Sequence, residues 1–84
     1  MSNYIKTNNT NKITNADVYG EKVIIYKSNN ENLFLVEDVI TGELIPGMSR
    51  RTLKQALEHI ANGGSWHSKE VVLANIKRWR ASLA

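Results

Sequence analysis

Between Pro46 and Thr52 the hydrophobic period of the chain changes, and that change fixes the fold class. Before it, apolar residues run in short β-branched and aromatic blocks or alternate. After it, Leu53, Ala56, Leu57 and Ile60 recur at helical spacing. A strand half followed by a helical half is the pattern of an α+β domain.

In the strand half, Val23, Ile24, Ile25 and Tyr26 place a strand over Glu21–Ser28. Ser28-Asn29-Asn30-Glu31-Asn32 supplies a turn, because Asn tolerates left-handed geometry and bonds its own backbone. A second strand runs over Leu33–Ile40, with Leu33, Leu35 and Val39 on one face and Phe34, Val36 and Ile40 on the other. Thr41-Gly42 fits a two-residue hairpin loop, and Glu43–Ile45 a short third strand stopped by Pro46-Gly47.

In the helical half, Thr52 and Gln55 form a capping box, and Asn62-Gly63-Gly64 stops the first helix. Ser68 caps a second helix from Lys69 to near the chain end, with Val72, Ile76, Trp79 and Leu83 as its buried stripe. The expected fold is a three-stranded antiparallel meander followed by two helices on one of its faces (β-β-β-α-α). Residues 18–84 form this single domain. Residues 1–17, with five asparagines between Asn3 and Asn15, read as a flexible polar arm, or as a short strand ordered by docking.

The residues exclude several functions. With no cysteine there are no disulfides, thiolate metal sites or cysteine nucleophiles. No charged segment followed by an apolar run opens the sequence, and no stretch is long enough to span a bilayer, so a cytoplasmic, membrane-free setting is expected. His59 and His67 lack a second ligand at helical spacing, and no serine stands in a nucleophile elbow. Glu37, Asp38 and Glu43 approach one another around the Thr41-Gly42 turn but fall short of a calcium site. Gly63-Gly64-Ser65 lacks the lysine and the preceding strand of a phosphate loop. The expectation is a non-enzymatic chain without metal or cofactor.

Charge is the remaining signal. Residues 1–48 carry four lysines against six carboxylates (net −2), and residues 49–84 carry seven Lys and Arg against two (net +5). Arg78, Arg80 and Lys77 lie in the second half of a helix, where the helix dipole favours cations. Arg50 and Arg51 flank a helix N-terminus, where it does not. With Lys54 they make a cationic corner, to be met either by an external anion or by a strand carboxylate, Glu43 or Asp38. Lys69, Lys77 and Arg80 fall along one flank of the second helix with Leu73 among them, and Arg78 on the other side. Trp66 and Tyr26 are the candidate base-stacking residues, Trp66 having the alternative of packing over the end of the first helix.

The sequence thus points to a small binding module. One reading is a nucleic-acid-associated regulatory protein using its basic helical face, with backbone-led, weakly sequence-specific contacts. The alternative is a protein-binding accessory or inhibitor of phage or mobile-element type, such as an anti-restriction or anti-CRISPR protein, acting on a host complex. The partner is a nucleic acid or an acidic protein surface. Because the second strand is apolar on both faces and two helices cover only one, a homodimer through the uncovered face is a third expectation.

Overall fold

The computed structural model describes residues 10–66 and 68–83. Three antiparallel strands, β1 (Thr10–Val18), β2 (Glu21–Ser28) and β3 (Phe34–Asp38), precede two helices, α1 (Leu53–Ala61) and α2 (Lys69–Ser82). The strand order is β1-β2-β3. This is the α+β meander with trailing helices that the change of period implies.

The three strands are not the three expected. Residues 10–17, read as part of an arm, belong to β1, which pairs with β2 from Thr10 opposite Ser28 to Val18 opposite Glu21. The pairing skips a residue between Lys12 and Thr14, so Ile13 bulges out of the ladder and is 42% exposed. The remainder of the arm, residues 1–9, lies outside the described residues, as does His67. β1 and β2 join through Tyr19-Gly20, both at positive φ (49° and 89°), and the Asp17 carboxylate accepts the Gly20 N–H at 2.9 Å.

The segment Glu43–Ile45 is not a strand. It touches β3 through a single bridge, Glu37 to Leu44, with the Ile45 N–H donating to the Val36 carbonyl at 2.8 Å. Pro46 has no N–H to continue the ladder, and Gly47 turns away at φ 78°. β3 is also shorter than expected. It ends at Asp38, and residues 39–42 form the loop, closed by the Asp38 N–H on the Glu43 carbonyl.

One face of the sheet meets the helices. Val18, Val23, Ile25 and Val36 point inward, Ile45 and Met48 come from the connecting segment, Ala56 and Ile60 from α1, and Val72 and Ile76 from α2. Both helices carry the expected caps: the Thr52 hydroxyl accepts the Gln55 N–H at 3.0 Å and the Ser68 hydroxyl the Val71 N–H at 3.4 Å. The expected apolar stripes are narrower in fact. Trp79 is only partly buried against the core, while Leu57 and Leu83 are exposed. Gly63 and Gly64, at φ 83° and 68°, lie so close to Val72, Tyr19 and Met48 that a Cβ would collide. They let α2 fold back onto the core.

Candidate functional site

The basic residues of the helical half divide by what the structure does with them. Arg50 is held by the chain itself. Its backbone exchanges hydrogen bonds with Phe34 at 2.6 and 3.1 Å, which fastens the approach to α1 onto the start of β3. Its guanidinium Nη1 donates to the Gly47 and Ser49 carbonyls at 3.2 and 2.6 Å, and Nη2 lies 3.0 and 2.8 Å from the two ring nitrogens of His59. The strand carboxylates considered as its partners, Glu43 and Asp38, do not take that role. Carbonyl oxygens already within reach of the turn satisfy the side chain.

Arg80 is claimed more completely, which corrects its place among the surface cations. Its Nε donates to Asp38 Oδ2 at 2.9 Å and its Nη2 to Asp38 Oδ1 at 2.8 Å, with Glu21 Oε1 also 2.8 Å from Nη2. The Asp38 side chain is 1% exposed. Burial pushes that carboxyl upward, but the hydrogen bonds from Arg80 and Thr41 and the Arg80 charge outweigh it and hold the group below the usual carboxylate range. The Asp38 hydrogen bond likewise raises the Arg80 guanidinium above its already high value, against the opposing effect of its own desolvation. A bidentate Arg–carboxylate pair of this kind is the strong form of the interaction. The signal for it lies in the sequence: Val72, Ile76 and Arg80 follow one another at four-residue steps, so Arg80 continues the buried line.

The remaining cations stay at the surface. Arg51 and Lys54 are exposed at the start of α1, and Lys69, Lys77 and Arg78 along α2. Among the described residues none of the five forms an ion pair, and the one side-chain bond of the set is Arg78 Nη1 to Asn75 Oδ1 at 3.3 Å. The two groups do not converge on one pocket. Arg50 marks the Phe34 end of β3 and Arg80 its Asp38 end, about 13 Å apart along a five-residue strand. The exposed cations are spread over the approach to α1, α1 itself and α2.

The two aromatic candidates are placed elsewhere. Trp66 is partly buried and packs against the core. Tyr26 projects from the sheet face opposite the helices, where its hydroxyl donates to Glu37 Oε1 at 3.3 Å. Among the described residues no helix is long and apolar enough to cross a membrane. Comparison with protein-family models, with characterised proteins and with solved structures finds no match for this chain.

Proposed function

We propose that this is a non-enzymatic module that binds the phosphate backbone of a nucleic acid through its helix layer, with regulation as its role. The observation that carries the reading is the set Arg51, Lys54, Lys69, Lys77 and Arg78: five exposed cations without internal carboxylates, where Arg80 beside them has two. Only Glu58 and Glu70 offset them on this half of the chain. Such a surface contacts phosphates without reading bases.

Fluorescence anisotropy with a labelled mixed-sequence duplex tests it. Three to five phosphate contacts give a log K against log salt slope of about −3 to −5. The double variant Lys54→Glu, Lys77→Glu lowers the affinity and flattens the slope. No binding at low salt, or binding indifferent to salt, defeats the reading.

A second reading, contact with a protein, draws on Val39 and Ile40, two apolar side chains left 47% and 71% exposed in the loop after β3. Co-purification that survives nuclease treatment favours it over the first.

A further inference from the structure

The face of the sheet turned away from the helices is buried unevenly. Register and alternation place on it Lys12 and Asp17 of β1, Ile24 and Tyr26 of β2, and Leu35 and Glu37 of β3. The β1 residues are exposed, the β2 residues half-buried, and Leu35 and Glu37 only 1% and 6% exposed. Leu35 is nonetheless no part of the core between sheet and helices.

An antiparallel sheet packed on one face commonly leaves the other to water. Neighbours within the sheet shield the flanks of a side chain, which stands perpendicular to the strands, but not its tip. Leu44, bridged to Glu37, is such a flanking neighbour. The ends of β3 stay in the sheet as well: the Leu33 carbonyl accepts the Ser28 N–H at 3.0 Å, and the Val39 N–H donates to the Lys22 carbonyl at 3.2 Å. Both helices pack on the opposite face. The cover over Leu35 therefore comes from a part of the chain other than these elements. That burial is complete within one chain, so it calls for no second copy.

Residues 1–9 are the stretch within reach. Thr10 stands opposite Ser28, and Tyr26, two residues before Ser28, is the cross-strand partner of Leu35. Two strand spacings and two residues put Leu35 about 12 Å from Thr10. Five extended residues span up to about 17 Å, which brings Ile5 and its neighbour Tyr4 into range. With Met1 these are the apolar residues of the segment, and Lys6 beside them opposes the Glu37 carboxylate in sign.

We propose that the β3 half of this face is the docking site for the chain's own residues 1–9, with Tyr4 and Ile5 as the anchors over Leu35. The docking involves none of the five exposed cations, so it is independent of the nucleic-acid reading.

Methyl and aromatic NMR of the full chain tests it. The sequence has no cysteine, so Thr7→Cys accepts a single spin label. The expected result is strong broadening of the Leu35 methyls and the Tyr26 ring, with the Ile76 methyls much less affected. In an equal mixture of spin-labelled chain and isotope-labelled parent chain the broadening is lost, because the segment docks on its own molecule. The double variant Tyr4→Asp, Ile5→Asp shifts the Leu35 signals and leaves those of Val72 and Ile76, inside the core, in place. Leu35 signals untouched by the label, or broadened to the same extent in the mixture, overturn the proposal. So do Leu35 signals that the double variant leaves unmoved.

Discussion

Asp38 is a buried carboxylate that bonds both Arg80 of α2 and Thr41 of the loop after β3. Removing it leaves Arg80 with only Glu21, and breaking one side of a buried pair costs about 3–5 kcal/mol. Asp38→Ala should therefore lower the unfolding free energy in urea by that amount. The pH dependence follows from the sign of the shift. The folded carboxyl titrates below its unfolded value, so its contribution is complete above about pH 4 and is lost as pH falls further, through the folded value. Asp38→Asn should remove that acid-labile part, which chemical denaturation across the acid range measures. Glycine provides a second residue-scale contrast. Gly63→Ala meets both a positive φ and the Val72 and Tyr19 side chains, and should cost about 2–4 kcal/mol. Gly42→Ala, with open space around it, should cost only the backbone strain, about 1 kcal/mol.

At the scale of elements, the two helices depend on their caps. Thr52→Ala and Ser68→Ala should each cost about 1 kcal/mol, read from the urea midpoint. These helices were fully legible in the sequence, because cap, period and glycine stop agree over the same residues. β2 was legible for a similar reason, its Val23-Ile24-Ile25-Tyr26 run having no good helical alternative. β1 was not. Only Ala16 and Val18 carry its inward face, Ile13 is thrown out of alternation by the bulge, and Asn and Thr supply most of the rest. Its order comes from β2, a tertiary effect that local composition does not record. The loop after β3 was misread by two residues because the Asp38 side chain, and not Gly42 alone, shapes the turn. For the candidate surface, the sequence told which half is basic but not which guanidinium is already satisfied. Arg80 finds Asp38 across 42 residues, and only the line Val72, Ile76, Arg80 hints at its inward course.

At the scale of the whole molecule, two layers enclose one small core, and a chain of 84 residues has little stability to spare. Ile76→Ala, a deletion at the centre of that core, should cost about 2–5 kcal/mol and bring the domain near its unfolding limit. Salt should separate the two kinds of charge. Rising ionic strength screens the exposed lysines and arginines and should weaken nucleic-acid binding steeply, while the buried Asp38–Arg80 pair is shielded from it. Unfolding temperature measured beside binding over the same salt series checks this: the first should stay nearly level as the second falls.

Arg80 also joins parts that would otherwise come apart separately. The last turn of an unanchored helix frays, and a loop tip opens by itself, each at small free-energy cost. Here one guanidinium belongs to both, so the amides of that last turn and of Thr41 and Gly42 should exchange with solvent at a common, slow rate. Arg80→Met should split them into two fast populations.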